Sequence, residues 1–388
     1  MFKANTGTST QKSAKAAGAE AARKAAEGLQ GIKFAFVYGS CDYAIPAMLS
    51  GVQEALPGIP IAGNTSFTGI ITPEGYVTGP DGFVGIMALA DDDLIVGTAT
   101  VARGSGTAID DGRKAALKAM EAAGQTTPPD YFYMAASPAE EELYLKGITA
   151  VIGRVPMFGG SAADNTIAGN WQLYSDKGSC PDGVVLAFFY TKKKICNEYT
   201  GAYHETKDMG IITKISGLRT LMEIDGEPAL KKYASWRGME IDALKGPKLL
   251  AESVVSPLGV KDRLGDLVAI RHPMNGNDNL SIAVGNNLAV GTAVIRMEAS
   301  VDELIQSTGE TMQTLNRRSP KIGAYHLVHC GGRRAGIGDR IDEVAEQLIR
   351  EAHGLPFIAE FTFGEYGYVE DGRNTCGGLM LSFTAFEK

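Results

Sequence analysis

The sequence predicts a mixed α/β (α+β) fold, with an internally duplicated N-terminal α/β unit built on mixed sheets and a second, docked α/β domain behind it. Three observations carry this expectation. The segment Ile59-Pro60-Ile61-Ala62-Gly63-Asn64-Thr65 returns as Val155-Pro156-Met157-Phe158-Gly159-Gly160-Ser161. Strand-like apolar runs ending in Ser, Phe34 to Ser40 and Tyr131 to Ser137, precede the two segments, and Asp81-Gly82-Phe83-Val84 and Asp182-Gly183-Val184-Val185 follow them. Beyond about Tyr199 the repeat is lost, with no Ser/Gly/Pro-rich linker, so a second domain is expected to dock directly on the first.

Each copy reads, in order, as a helix, a strand, a second helix, the Gly-rich strand end and a β-meander. Pro73-Glu74-Gly75, Gly79-Pro80-Asp81-Gly82 and Asp176-Lys177-Gly178 write the turns. A helix over Asp110 to Ala123 follows from Arg113, Ala116, Leu117 and Met120 at i, i+3, i+4, i+7. This gives repeats over 1–97 and 98–198, and a second domain over 199–388. In that domain Leu221 to Leu230 reads as a strand, a tight turn and a helix start. Two segments echo the repeat more faintly: Leu288 to Thr292 is similar to Leu94 to Thr98, and Leu355 to Ala359 is similar to the Pro60 segment. Ile341, Val344, Ala345, Leu348 and Ile349 make one apolar stripe on a helix from Arg340 to Ala352. It is expected to pack on strands Gly323 to Val328 and Leu379 to Phe386.

The 388 residues are 44% hydrophobic and 21% charged, enough for more than one core and too apolar for disorder. A net charge of −8 repels phosphate backbones and anionic lipid, so nucleic acid is not an expected partner. The longest apolar run, about Gly183 to Tyr190, is far short of a membrane span, and no secretory signal precedes the polar stretch Gln11 to Glu27. The expected location is therefore the cytoplasm, without membrane insertion. Cys41, Cys180, Cys196, Cys330 and Cys376 are odd in number and never form Cys-x-x-Cys, which points to thiols and not to a disulfide or zinc framework.

The two Gly-rich strand ends offer backbone N–H groups beside short polar side chains: Asn64, Thr65 and Ser66 in the first, Gly159, Gly160, Ser161, Asp164 and Asn165 in the second. The competing reading is that these glycines only permit tight turns and close packing. Neither end is a phosphate cradle, and Gly-x-Ser-x-Gly, His-Glu-x-x-His and EF-hand patterns are absent. Cys330-Gly331-Gly332-Arg333-Arg334 places a thiol and two guanidiniums after an apolar strand, where Arg333 could grip a carboxylate. The competing reading is a solvated basic turn. His326 and His329, three apart on a strand, face opposite ways and do not ligate together, so no metal is expected. Glu365, between glycines, could meet an amino group, and Arg373-Asn374-Thr375 offers an amide at a further strand end.

Pro156-Met157-Phe158-Gly159-Gly160-Ser161-Ala162, Cys330 to Arg333, Gly364-Glu365 and Asn374-Thr375, in that order, resemble the motifs of the FIST family, with paired FIST N and FIST C domains. The resemblance covers nearly the whole chain. One element departs: Asn64 stands where the family usually has cysteine, and Gly69 is followed by Ile70 instead of an acidic residue. The resemblance implies a stand-alone cytoplasmic sensor that binds an amino acid or related small carboxylate between its domains. Occupancy would pass to a separate histidine kinase or other signalling protein, or through a homo-oligomer. Asn64, Thr65, Ser66, Gly159, Gly160, Ser161, Asp164 and Asn165 would line one wall and Cys330, Arg333, Glu365 and Asn374 the other, with no cofactor and no catalytic residue. Two alternatives stay open, a haem-binding nitric oxide sensor and an enzyme using Cys330 or Ser161 as nucleophile.

Overall fold

In a computed structural model of the chain, residues 1–261, 268–369 and 374–388 are described; Arg373 lies outside them. The first unit runs β1 (Lys3–Ser9), α1 (Ala14–Ala26), β2 (Ile32–Gly39), α2 (Ile45–Ala55), β3 (Ile61–Thr65), β4 (Ile70–Thr72), β5 (Gly75–Val77) and β6 (Val84–Ala90). The second repeats it as β7 (Ile95–Ala102), α3 (Ala108–Ala123), β8 (Tyr131–Ala136), α4 (Glu141–Ile152), β9 (Met157–Ser161), β10 (Leu173–Ser175), β11 (Gly178–Cys180) and β12 (Gly183–Tyr190). Next comes β13 (Ile195–Thr200), and then an inserted subdomain interrupts the order. It holds β14 (His204–Ser216), β15 (Thr220–Ile224), β16 (Glu227–Pro228), α5 (Ala229–Arg237), α6 (Lys248–Glu252), β17 (Leu258–Lys261), β18 (Val268–Arg271), β19 (Pro273–Gly276), β20 (Ile282–Val284) and β21 (Ala293–Glu298). The pattern resumes with α7 (Val301–Arg318), β22 (Ile322–Cys330), α8 (Gly331–Ile337), α9 (Ile341–Ala352), β23 (Phe357–Thr362), β24 (Glu365–Tyr368), β25 (Asn374–Gly377) and β26 (Leu381–Glu387).

Three six-stranded sheets share one strand order: β1-β6-β2-β3-β10-β11, β7-β12-β8-β9-β24-β25 and β13-β26-β22-β23-β4-β5. In each, the two central strands are parallel and the outer hairpin is donated by another unit, so the three units close into a ring by exchanging hairpins. Pro60, Pro156 and Pro356 open the second parallel strand of each pair. Their carbonyls accept from Ala35, Phe132 and Tyr325 N–H at 3.1, 3.0 and 3.0 Å. The Pro356 echo is therefore the third copy of the segment. The Leu288 echo is not, because it lies in the insertion, and the third-unit counterpart of β7 is β13.

Period-two alternation divides each central strand between two cores. Phe34, Phe36, Tyr38, Tyr131, Tyr133, Phe158 and Ile358 face one shared interior. The opposite faces pack under α1 and α2, under α3 and α4, and under α7 and α9. The Asp110 helix forms as α3, but its buried face is Ala108, Gly112, Ala115, Ala116 and Ala119, while Leu117 is 57% exposed. Close helix packing explains the difference. A Cβ on Gly112 would fall 2.3 Å from the Tyr144 carbonyl oxygen, and one on Gly147 2.0 Å from that of Ile109. Such contact selects small residues over long apolar ones. On α9 the stripe buries Ile341, Val344, Ala345 and Leu348 against the expected strands, but Ile349 is exposed and Ala352 takes the next place on the buried face.

Candidate functional site

Where the three parallel strand pairs end, the backbones close a ring of hydrogen bonds. Thr65 C=O accepts from Ala163 N–H (2.9 Å), Ser161 C=O from Phe363 N–H (3.2 Å), and Phe361 C=O from Phe67 N–H (2.9 Å). Below this ring lies a polar cluster inside the shared core. Tyr38 Oη is 2.5 Å from His326 Nε2, Tyr133 Oη donates to Asn64 Oδ1 (2.8 Å), and Asn64 Nδ2 donates to Glu360 Oε2 (2.8 Å). All are buried. Burial pushes the Glu360 carboxyl up to about 8 and His326 down to about 3, so the cluster is neutral near pH 7. Sequence reasoning missed Glu360 and the tyrosines; the one acid inside the apolar run Phe357 to Phe361 was the available signal.

Arg333, on α8, is among the largest fully buried side chains. Its Nη2 donates to Leu304 C=O (2.8 Å) and Ser307 Oγ (2.7 Å) on α7, while Nε and Nη1 have no partner among the described residues. A buried guanidinium with unpartnered N–H groups is costly. Burial lowers its pKa, opposed by neighbouring Tyr203, Cys330 and Glu365. Ser307 and Tyr203 also line a groove of about 410 Å3 with His204, Glu303 and Thr311. Glu365 is buried and pushed up to about 8 by burial. Its oxygens already accept from Thr362 Oγ1 (3.0 Å), Met380 N–H (2.9 Å) and the Cys330 thiol. Near pH 7 Glu365 is thus mostly a neutral acid, ill suited to an ammonium clamp. Burial drives the Cys330 thiol far up, and its sulfur accepts from Gly332 and Leu379 N–H (3.3 and 3.2 Å).

The structure thus brings Cys330, Arg333 and Glu365 together and disperses the rest. Asn64 belongs to the axial cluster; Thr65 Oγ1 accepts from Gln172 N–H (2.9 Å) and Ser66 Oγ from Phe361 N–H (2.9 Å). Gly159 is held by strand contact, since a Cβ there would lie 2.0 Å from the Met134 carbonyl oxygen. At Gly160 a Cβ would lie 2.6 Å from Thr362 Cγ2. Ser161 Oγ bonds Tyr366 Oη (2.7 Å) and Glu141 Oε1 (3.2 Å). Asp164 caps its own loop, accepting from Thr166, Ala168, Gly169 and Asn170 N–H. Asn165 bonds Asp42 at a separate cleft, and Asn374 Nδ2 donates to Val155 C=O (2.8 Å). Sequence reasoning missed Ser307, on α7, and Tyr203, between β13 and β14, which no motif marks.

A haem does not fit at the three buried histidines. His326 packs 4.6 Å from the Phe36 ring and 5.1 Å from Phe158, and His329 packs 5.3 Å from Phe361. His272, lowered to about 4 by burial, bonds the Leu250 carbonyl. A porphyrin at any of them would displace core side chains.

Fold and site together define a threefold-repeated scaffold with a buried, incompletely partnered cation. The FIST N domain matches residues 33–227 and the FIST C domain residues 229–368, so the chain belongs to the FIST family, whose domains are small-ligand sensory domains. No curated protein matches it. Among solved structures it is similar to cyanuric acid hydrolase from A. caulinodans, at 12% identity, covering 100% of both chains with a TM-score of 0.36. It is also similar to PurLQS from Thermotoga maritima, at 8% identity and a TM-score of 0.24, covering 100% of this chain and 72% of that one. TM-scores of that size assign neither fold nor activity. Among the described residues no helix is long and apolar enough to cross a membrane.

Proposed function

We propose that the chain is a sensor for a small carboxylate, held at the open N–H edges of Arg333 beside Ser307. The observation that carries this reading is the fully buried Arg333 guanidinium, with Nε and Nη1 unpartnered and Nη2 2.7 Å from a serine on the wall of a groove. A carboxylate is the planar two-oxygen anion that such an edge accepts bidentately. Amino acids fall within the class through their carboxylate. Glu365, with its oxygens already bonded, gives their ammonium group no special partner. Occupancy would pass to a separate signalling protein in the cytoplasm, a histidine kinase among the candidates, or through a homo-oligomer.

Isothermal titration with a panel of amino acids and their deaminated carboxylates tests the reading. A binder should lose about tenfold or more in affinity in Arg333→Gln, since a hydrogen bond to a charged group is worth about 1.5–3 kcal/mol. Ser307→Ala, which spares the buried cation, should give a smaller loss in the same direction. Equal affinity in wild type and a folded Arg333→Gln protein, or no binder in the panel, would overturn it.

A further inference from the structure

The ring of three units creates three related clefts, each between the residues that follow a central strand and the loop that carries the donated hairpin. The equivalence is visible at atomic level: Ser40 Oγ accepts from Asp42 N–H (3.1 Å) after β2, as Cys330 Sγ accepts from Gly332 N–H (3.3 Å) after β22. Likewise Ser40 N–H donates to Phe83 C=O (2.9 Å) and Ser137 N–H to Gly183 C=O (3.0 Å).

Two of the clefts hold an arginine of the chain itself. At the start of α4, Arg219 from the insertion puts Nη2 2.5 Å from both Glu141 Oε2 and Glu142 Oε2. Its Nη1 donates to Gly285 C=O (2.6 Å) and its Nε to Asn287 Oδ1 (3.1 Å). At α8, Arg334 lies 5.0 Å over the Tyr76 ring with Nη2 3.2 Å from its hydroxyl. The third cleft, between β2–α2 and residues 162–172, is an open cavity of about 680 Å3. Asp42 stands on its wall, solvent-exposed, held through Oδ2 by Ser40 Oγ (2.9 Å) and Asn165 Nδ2 (2.7 Å). Ile45, Pro46 and Pro181 supply apolar wall, and among the described residues no lysine or arginine lines the cavity.

We propose that this third cleft binds a guanidinium on an aliphatic stem, carried by a free arginine-like metabolite or by an arginine of a peptide. Asp42 supplies the carboxylate that Glu141 and Glu142 supply to Arg219, and the Ile45–Pro46–Pro181 wall takes the methylene stem. The inference is independent of the carboxylate site at Arg333.

Trp171 sits between Asn170 and Gln172 of the lining, and its emission is isolated in a Trp236→Phe background. Agmatine and a short arginine peptide are titrated, with their ureido isosteres N-carbamoylputrescine and the matching citrulline peptide as uncharged controls, and calorimetry on the same samples records binding that leaves the emission unchanged. The expected result is saturable binding of at least one guanidinium probe, weakened about tenfold or more for its ureido isostere and in Asp42→Asn. Binding of agmatine assigns the source to a metabolite; binding of the peptide alone assigns it to a protein partner. No saturable binding of either probe up to about 10 mM, where even a millimolar site would fill, would refute the proposal, as would equal affinity in Asp42→Asn.

Discussion

Two buried carboxyls should make the protein lose stability as pH rises through neutrality, and Glu360→Gln should remove one carboxyl's share of that loss. Glu360 and Glu365 are fully buried and pushed up to about 8, against an ordinary 4.5 in the unfolded chain. The native state therefore binds more protons than the unfolded state between those values. Stability is fully present below pH 4.5 and is lost as pH rises through 8. The buried histidines act in the opposite sense: His326 and His272, lowered to about 3 and about 4, cost stability as pH falls below 6.5. Just above pH 6.5 the unfolded histidines are still partly protonated, so His272, His326 and His329 each offset the carboxyls by about 0.4 kcal/mol between pH 6.5 and 8. Integrating the carboxyl proton difference from pH 6.5 to 8 gives about 1.5 kcal/mol per carboxyl, or about 3 kcal/mol for the pair before that offset. Urea unfolding at fixed pH values across this window measures it. Glutamine keeps the oxygen that accepts from Asn64 but cannot ionise, so over the window the variant should lose about 1.5 kcal/mol less than wild type. A wild-type stability that is flat over the window, or a Glu360→Gln slope equal to that of wild type, would show that Glu360 is not a buried neutral acid.

Two further outcomes test the frame around the sites. Arg219→Ala leaves Glu141 and Glu142 facing each other at the start of α4, Glu141 being nearly fully buried. It should cost about 3 kcal/mol in urea unfolding and raise amide exchange in β15 and β20, where an unchanged exchange pattern would deny the contact its role in docking the insertion. Gly63→Ala would place a Cβ 1.7 Å from the Val37 carbonyl oxygen and should yield no soluble folded protein; a variant with near-native melting would show that β2 and β3 leave room for a methyl group between them.

The duplication was legible because its markers are backbone devices: proline at the head of the second parallel strand, glycine where two strands touch, and serine after the first. Gly63 and Gly159 meet the same constraint, with Cβ positions 1.7 and 2.0 Å from the carbonyl oxygens of Val37 and Met134. Their packing role was one of two readings the residues allowed. The third copy was obscured for two reasons. The insertion separates β13 from α7, so spacing no longer marks the repeat, and Leu288 inside it offers a false echo. The inward positions have also changed, from Phe36 and Asn64 to His326 and Glu360. Arg333 could be picked out by its place after a strand. The partners of its guanidinium could not, because one is a main-chain carbonyl and the other, Ser307, lies on a helix with no sequence link to α8.

Those inward changes follow from electrostatics. In strand register Asn64, Gly160 and Glu360 occupy equivalent places around one axis. Three acids there would be like charges in an apolar core, and three asparagines would leave amides without partners. Three glycines would leave a void. The mixed set resolves the problem: the Asn64 amide faces the Glu360 acid at 2.8 Å, and at Gly160 the approach of Thr362 leaves no room for a side chain. A ring of identical units cannot make that asymmetric bond, so the interior required the copies to diverge. Once they had, the rim was no longer bound to symmetry either. One cleft took Arg219 from the insertion, one took Arg334, and the third stayed open beside Asp42. The open cleft therefore sits at a place that the ring repeats three times, and its two counterparts are the ones filled by an arginine of the chain.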